Sequence, residues 1–423
     1  MIRFLLKGIL RDRSRSLLPI IVVSLGVMIT VFLQAYMDGV LGDSIEWTAQ
    51  FSTGHVKVMT RAYQENISQT PNDYALTDVD ILQPQLEKDY PGLSWAPRIQ
   101  FGGLLDVPDE NGLTRAQGNV KGMGLELLNS SEEIERMHLN DYLSSGNFPQ
   151  QAGEVLLSRE LFNQMGLTLG DEVTLISSGM WGDMAMYNFK VCGTLQFGIN
   201  SLDRGFMIAD LEDLQLALNM ENAASELLGF LKEGYYIHKE AQNLSDNFNQ
   251  KQSDAQDEFS LLMLPLSDMN GMQFFVAYAQ QMQYLIVLIF VMAMSLVLWN
   301  AGLLGGLRRY GEFGLRLAIG ENKHELYRSL MGEAVMIGLL GSIIGVAFGL
   351  LFSWLMQKYG LDVGDMLKDS TIMMPTVMRA RITTTTYYIG FLPGILSTLI
   401  GAMLSGIGIY KRQTASLFKE LEN

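Results

Sequence analysis

The chain has 423 residues, of which 48% are apolar and 18% are charged, with a formal net charge of −15 and one cysteine. The charged fraction lies below the usual value of about a quarter, and the charges are unevenly distributed. Stretches of 22, 39, 24 and 29 residues contain no Asp, Glu, Lys or Arg: 16–37, 269–307, 334–357 and 382–410. A membrane-spanning helix needs about 20 apolar residues, so the pattern predicts four spans and excludes a soluble globular protein. The single cysteine excludes an intrachain disulfide framework.

Basic residues cluster beside the ends of the predicted spans. Thirteen of them fall on one side of a membrane that the chain crosses four times: Arg3, Lys7, Arg11, Arg13, Arg15, Arg308, Arg309, Arg316, Lys323, Arg328, Lys411, Arg412 and Lys419. The positive-inside rule makes this side the cytoplasm, with both termini. The segment 38–283 then lies outside, with 35 acidic and 13 basic residues. This acidic surface disfavours nucleic-acid binding.

The predicted elements follow one another in a simple order. A first segment of basic and apolar residues predicts a cytoplasmic amphipathic helix, although ordinary positive flanking of a span explains it equally well. The full division is 1–16 N-terminal helix, 17–37 first span, 38–268 extracytoplasmic α+β domain of two subdomains, 269–283 stalk helix, 284–307 second span, 308–333 cytoplasmic loop, 334–356 third span, 357–385 extracytoplasmic loop, 386–409 fourth span and 410–423 cytoplasmic tail.

Alternation of apolar residues and helix-capping signals define the elements of the large outer domain. Strands are predicted at 55–59, 95–107, 153–158, 170–176, 187–195, 204–209, 227–231 and 259–264, and helices at 78–90, 159–165, 210–218 and 240–258. The domain contains no phosphate-binding loop, metalloprotease motif or nucleophile elbow, and the four histidines are scattered singly. The chain is therefore not expected to be an enzyme, to bind a metal or to hold a cofactor of its own.

Two further patterns suggest functional surfaces. Gly341, Gly345 and Gly349 recur every four residues in the third span, so they share one face where a second helix can approach closely. That helix could be span two of the same subunit or a span of a partner subunit. The loop 177–187 holds an apolar group, Met180, Trp181, Met184 and Met186. These side chains either fill the core of their own domain or form a flexible surface that contacts cargo or a carrier protein.

The segment 309–333 lies between the second and third predicted spans, on the basic side. It reads as a helix that is too polar to span a membrane, and its patterning suggests a docking surface. Within it, Glu312-Phe-Gly-Leu-Arg-Leu-Ala-Ile-Gly320 resembles the R-E-I-G-I-L-R-A-L-G-A stretch of FtsX-like permeases. Glu333 and the glycines that follow it resemble the third span of that family. Leu317 and Gly311 depart from the family pattern, which often has basic residues there.

The resemblance extends over nearly the whole chain. The layout of one span, a large outer domain and three further spans is similar to that family. The stretches Glu154-Val-Leu-Leu-Ser158 and Gly166-Leu-Thr-Leu-Gly-Asp-Glu-Val-Thr-Leu175 resemble the MacB-type core domain, and Thr414–Leu421 resembles the usual family ending. The fold class expected is thus an α-helical membrane protein with four transmembrane helices and a large α+β extracytoplasmic domain of the MacB core type.

The resemblance implies the permease subunit of an ABC transporter. A separate ATPase subunit, which would supply ATP and Mg, is expected to dock on the loop through Glu312, Gly314, Arg316, Ala318 and Gly320. A second permease copy or a paralogue is the other expected partner, with a periplasmic carrier or adaptor and membrane lipid as further candidates. Closure of the ATPase would move the outer domain without passing cargo through the permease, and the expected location is a bacterial inner membrane.

Several functions remain open within the family. The layout is closest to the LolC and LolE type, which extracts lipoproteins from the inner membrane. MacB-type efflux of drugs or peptides usually has its ATPase on the same chain, and the FtsX cell-division type has a smaller outer domain. A membrane receptor that binds a partner through its acidic domain is an alternative of a different class.

Overall fold

The computed structural model describes residues 13–109, 112–198, 200–232, 234–251, 257–269, 271–308, 315–363 and 377–411. It divides into two compact units. The helical unit comprises 1–41, 276–362 and 377–423, and the α+β unit comprises 42–275 with 363–376. The predicted N-terminal helix and cytoplasmic tail lie almost wholly outside the described residues.

The helices are named α1 to α13 in chain order. They are α1 Arg13–Thr48, α2 Arg61–Glu65, α3 Val79–Asp89, α4 Glu132–Arg136, α5 Leu139–Tyr142, α6 Arg159–Gln164, α7 Asn200–Asp203, α8 Leu211–Ala217, α9 His238–Lys251, α10 Met272–Arg308, α11 Lys323–Tyr359, α12 Thr384–Tyr388 and α13 Phe391–Lys411. The strands are β1 Val56–Thr60, β2 Leu93–Pro108, β3 Thr114–Leu125, β4 Leu143–Gly146, β5 Glu154–Ser158, β6 Glu172–Ser178, β7 Met184–Leu195, β8 Phe206–Asp210, β9 Glu226–Leu231, β10 Leu261–Pro265, β11 Leu361–Asp362 and β12 Val377–Met378.

Apolar helices dominate the helical unit. Among the residues that the structure describes, three helical stretches are long and apolar enough to cross a membrane: Leu17–Thr53, Lys323–Tyr359 and Thr384–Gly406. The apolar part of α10, Tyr284–Asn300, is shorter. Three of the four predicted spans thus coincide with such helices, and the second span stays a prediction.

The observed helices extend beyond the predicted spans. Helix α1 has 36 residues and α11 has 37, which is about 55 Å at about 1.5 Å per residue. Since the apolar core of a bilayer is about 30 Å thick, both helices must project beyond it.

The fourth span is divided between α12 and α13. Pro393 lies in the first turn of α13, where its missing N–H is best tolerated.

A closed ring of six strands forms the larger part of the α+β unit. The strands pair in the order β2, β3, β8, β5, β7 and β6, and β6 pairs again with β2. Apolar side chains that alternate along these strands fill the interior, including Phe101, Leu105, Val173 and Phe189. Closure of the ring pairs the backbone groups that an open sheet would leave at its edges.

Strand β2 also belongs to a second, smaller sheet. Its first half, Leu93–Arg98, pairs with β9, and its second half, from Ile99 onward, pairs with β3. The second sheet continues from β9 to β1 and β10 and is covered by α3 and α9. One continuous strand therefore connects the ring to the second sheet.

Most of the predicted outer-domain elements are found, with small shifts of their ends. One strand was missed and one helix was predicted too long. Strand β3 was not predicted because its five polar or charged residues and three glycines hide the alternation. The helix predicted to reach residue 258 is too long: α9 is described as far as Lys251, and Asp257 and Glu258 are not helical.

Candidate functional site

The glycine stripe of α11 lies against α1. A Cβ atom added at Gly345 would lie 2.6 Å from the carbonyl oxygen of Ser24 and 2.7 Å from Cβ of Val27. Cβ atoms at Gly341 and Gly349 would lie 2.8 Å from Cβ of Val23 and 2.7 Å from Cβ of Val31. The neighbour is thus the first span of the same chain, and not span two or a partner subunit.

The partner ridge on α1 was missed by the sequence reasoning. Val23, Val27 and Val31 are fully buried and recur every four residues, with the same spacing as the glycines opposite them. Matching one ridge of bulky residues to one groove of small residues is the ordinary way in which helices pack closely in lipid. The spacing of four residues that both rows share was the available signal in the sequence.

A group of polar side chains joins the second half of α1, residues 34–38, to the segment before α12. The amide of Gln34 donates to Oδ1 of Asp38 at 2.7 Å, and the hydroxyl of Thr383 donates to Oδ2 at 3.0 Å. The backbone N–H of Arg381 donates to the carbonyl of Ala35 at 2.8 Å. These bonds hold the chain between β12 and α12 against the second half of α1.

The predicted coupling segment, residues 308–333, is described only in part. Glu312 and Gly314 lie outside the described residues. Arg316 and Ala318 belong to one helical turn, 315–318, and Gly320 follows it with φ of +100°, a conformation that favours glycine. The segment is therefore not the single helix that was predicted, because the turn ends before α11 begins at Lys323.

The coupling segment presents an apolar surface. Leu317 packs against Leu326 and Leu330 of α11, which explains why an apolar residue stands there. Leu315 and Ile319 point away from this contact, and both are exposed. No atom lies within 4 Å of a Cβ added at Gly320, so this glycine serves backbone conformation and leaves the surface open.

The apolar loop of the outer domain lies in the hairpin between β6 and β7. Met180 is only 7% exposed and belongs to the interior of the ring. Trp181 at the tip is 79% exposed, and Met184 and Met186 are exposed as well. On the outer face of the hairpin, Met186 lies opposite Ile176 in register. The four residues thus divide between core and surface.

A buried cluster of charges surrounds the point where β2 passes from one sheet to the other. Arg98 has no exposed surface, and it donates to Glu133 of α4 at 2.7 and 3.1 Å. Arg136 forms a second ion pair with Glu133. On the neighbouring strands, Lys57 pairs with Glu226 at 2.6 Å.

Burial disfavours the charges of this cluster, whereas the opposite charges within it stabilise one another. Burial lowers the pKa of Arg98 to about 10, while the nearby charge of Glu226 acts in the opposite direction. The group stays charged at neutral pH. The guanidinium of Arg136 stacks 4.4 Å from the ring of Phe230 on β9. The cluster therefore connects β1, β9, β2 and α4.

An acidic cavity of about 530 Å³ lies between α3 and α8. Its lining includes the carboxylates of Asp80, Glu87, Glu126, Asp210 and Glu212. Burial, and after it the charge of Asp210, raises the pKa of Glu126. Asp210 itself accepts hydrogen bonds from the backbone of Leu127 and Leu128 at 2.9 Å and holds the loop that follows β3.

Parts of the chain are similar to a known protein family and to a solved structure. Residues 284–414 match the family described as FtsX-like permease C-terminal. A solved structure of the periplasmic region of MacB from Actinobacillus actinomycetemcomitans is similar at 11% identity and a TM-score of 0.35, and the match covers 53% of this chain and 95% of that one. No curated protein matches the chain in sequence.

The family match extends from the apolar part of α10 to just beyond α13. It confirms the expected resemblance to FtsX-like permeases for these residues, and the apolar helices agree with the coarser expectation of a membrane protein.

Proposed function

Because residues 284–414 form an FtsX-like permease region, we propose that this chain converts ATP hydrolysis by a separate ATPase subunit into movement of its α+β unit. The chain itself carries no ATP chemistry in this proposal, and ATP and Mg belong to the partner. The proposed setting is a bacterial inner membrane with both termini in the cytoplasm and the α+β unit outside. Two permease subunits, identical or paralogous, complete the assembly.

The observation that carries the proposal is the continuity of two long helices. Helix α11 begins within the coupling segment, where Leu326 packs against Leu317. It continues through the span to Tyr359. Along the span, its glycines contact the valine ridge of α1 so closely that the two helices must move together. A force on the coupling segment therefore reaches α1.

Helix α1 continues as one helix into the α+β unit. There Trp47, at its end, stacks on Phe51 with ring centroids 4.1 Å apart, and both rings are buried. Glu46 binds His55 at 3.0 Å, and His55 accepts a hydrogen bond from the backbone of Leu231 in β9. A movement of α1 would thus be delivered to the strands of the smaller sheet.

The proposed cargo is a lipoprotein or another lipophilic molecule extracted from the membrane. The exposed Trp181, Met184 and Met186 support this choice, since an apolar hairpin tip suits an apolar or adaptable partner. Efflux of drugs or peptides with an adaptor protein is the alternative within the family. A receptor without an ATPase is the alternative of another class, and a neighbouring gene for an ATPase with a P-loop would count against it.

The first experiment tests coupling through Glu312 and Ile319. Glu312→Arg reverses a charge of the expected footprint, and Ile319→Asp places a charge on the exposed apolar surface. Both variants should weaken co-purification with the ATPase subunit and abolish transport. Glu240→Arg, an exposed charge reversal on α9, is the matched control. If both coupling variants bind the ATPase and transport like the control, this docking surface is wrong.

The second experiment tests the hairpin tip. A photo-cross-linking amino acid at position 181 should capture cargo or a carrier protein in active membranes, and the same amino acid at exposed Leu113, on another loop of the α+β unit, should not. Capture of no partner from position 181 would count against a role for the hairpin in cargo handling.

A further inference from the structure

The far end of α11 carries exposed aromatic and basic side chains together. Trp354 and Tyr359 are exposed, and the ammonium group of Lys358 lies 5.5 Å from the centre of each ring. Tyr387 and Tyr388 of α12, which packs against α11, are also exposed. Tryptophan and tyrosine favour the interface between the apolar core and the headgroups of a bilayer. This end of α11 thus has the chemistry of that interface.

A second cation, Arg379, lies beside Gly360, the residue that ends α11. Strand β12 pairs with β11 directly after α11, which brings Arg379 next to Gly360. The Nε atom of Arg379 lies 3.5 Å from the position of a Cβ atom on Gly360. Arg379 is exposed, and in the described part of the chain neither it nor Lys358 forms a salt bridge. Lys358, two residues before Gly360 in the chain, and Arg379, next to Gly360 across the β11–β12 pair, thus flank the same end of α11.

The charge balance at this end favours an anionic ligand. Three described cations, Lys358, Arg379 and Arg381, stand against the two described acids, Asp38 and Asp362. Asp38 is engaged by Gln34 and Thr383 and faces the charge of Arg381, which leaves Lys358 and Arg379 against Asp362. The α+β unit, in contrast, is strongly acidic, so this basic group is a local exception on the side where both would lie in the proposed topology.

An apolar stripe leads away from the two cations along α11. Phe348, Phe352 and Leu355 are exposed, and they recur at intervals of four and three residues, which places them on one face. A free phosphate ion has no apolar part that could pack on these side chains. A phospholipid has the matching distribution, with a phosphate at one end and acyl chains that pack on apolar side chains.

We propose that the interface patch, defined as Trp354, Lys358, Tyr359 and Arg379, binds the headgroup of an anionic phospholipid, with the acyl chains along Phe348, Phe352 and Leu355. Lys358 and Arg379 bind the phosphate, and the rings of Trp354 and Tyr359 hold the glycerol region at the level of the interface. The bound lipid would lie beside β11 and β12. This role goes beyond the proposed coupling function and does not depend on the cargo.

The test is native mass spectrometry of the full chain in detergent with phosphatidylglycerol or with phosphatidylcholine of the same acyl chains. The wild type should retain phosphatidylglycerol preferentially. A basic residue near a lipid surface contributes about 1 kcal/mol, so the double variant Lys358→Gln/Arg379→Gln should bind phosphatidylglycerol about 30-fold more weakly. Binding of phosphatidylcholine should change little. Orientation in a membrane does not enter this measurement, and the outcome is independent of ATPase coupling.

Controls separate this site from general charge effects. Lys232→Gln/Lys239→Gln removes two cations from the α+β unit and should leave lipid binding unchanged. Equal loss in this control, or an absence of preference for phosphatidylglycerol in the wild type, would overturn the proposal. Displacement of the lipid by millimolar inorganic phosphate would also overturn it, since the site would then be one for free phosphate. Single variants Lys358→Gln and Arg379→Gln keep the test decisive if the double variant does not fold.

Discussion

Replacement of Gly345 by leucine should separate the first and third spans. A Cβ atom at this position would lie 2.6 Å from the carbonyl oxygen of Ser24 and 2.7 Å from Cβ of Val27. These are backbone and Cβ atoms, which cannot rotate away. Carbon atoms pack best at about 3.5–4.0 Å, so α1 and α11 must move apart by roughly 1 Å for alanine and further for leucine.

The separation has an energetic cost that can be measured. Overpacking of a well-packed contact costs about 1–3 kcal/mol, and leucine should lie at the upper end because its whole side chain must be placed. Membrane insertion should be unaffected, since leucine itself favours the bilayer. We therefore expect normal expression of Gly345→Leu, a lowered thermal midpoint of the detergent-solubilised chain and impaired transport. Gly345→Ala should show a smaller effect of the same kind.

The matched control is Ala347→Leu, which adds a similar volume on the exposed face of the same helix two residues away. It should leave the thermal midpoint and transport unchanged. The reasoning is refuted if Gly345→Leu behaves like Ala347→Leu in both measurements, because the contact between the glycine stripe and the valine ridge would then not determine the packing.

Two further predictions concern the α+β unit, and both are checked by thermal unfolding of the full chain in detergent. Arg98→Met should destabilise the unit by about 3–5 kcal/mol, because Glu133 stays buried with one cation fewer. Arg115→Met, the control, should cost about 0–1 kcal/mol because its ion pair is exposed. Equal midpoints for the two variants would contradict the role of the buried cluster. Burial and Asp210 raise the pKa of Glu126, so its ionised form opposes folding above that pKa, and Glu126→Gln should raise the midpoint at neutral pH. The gain should shrink as the pH falls through the raised pKa toward 4.5, where the wild-type carboxyl group is also neutral, and a gain that is constant with pH would contradict this explanation.

The sequence by itself determined the parts of the protein that depend on local composition. Charge-free apolar stretches located the helices of the helical unit, because a bilayer excludes charged side chains whatever the tertiary fold. Alternation along β6 and β7 located these strands, since each has one face in a core. The motif from Glu312 to Gly320 indicated an FtsX-like permease, which the family match confirms for residues 284–414.

Tertiary structure decided every question of pairing. The spacing of Gly341, Gly345 and Gly349 predicted close packing but could not name the partner, because small residues specify an approach distance and not an identity. Strand β3 escaped prediction because its place in the ring is set by its neighbours β2 and β8 and not by its own alternation.

Which residues of a single loop are buried could be known only from the fold. Met180 and Trp181 are adjacent and similarly apolar, yet one is in the interior of the ring and the other is at the hairpin tip. Arg98 reads as an ordinary charge within a strand, and only the crossing of β2 between two sheets buries it beside Glu133. Local physics thus determined which segments form helices and strands, whereas contacts between distant residues decided which side chains face one another, because those contacts depend on the path of the whole chain.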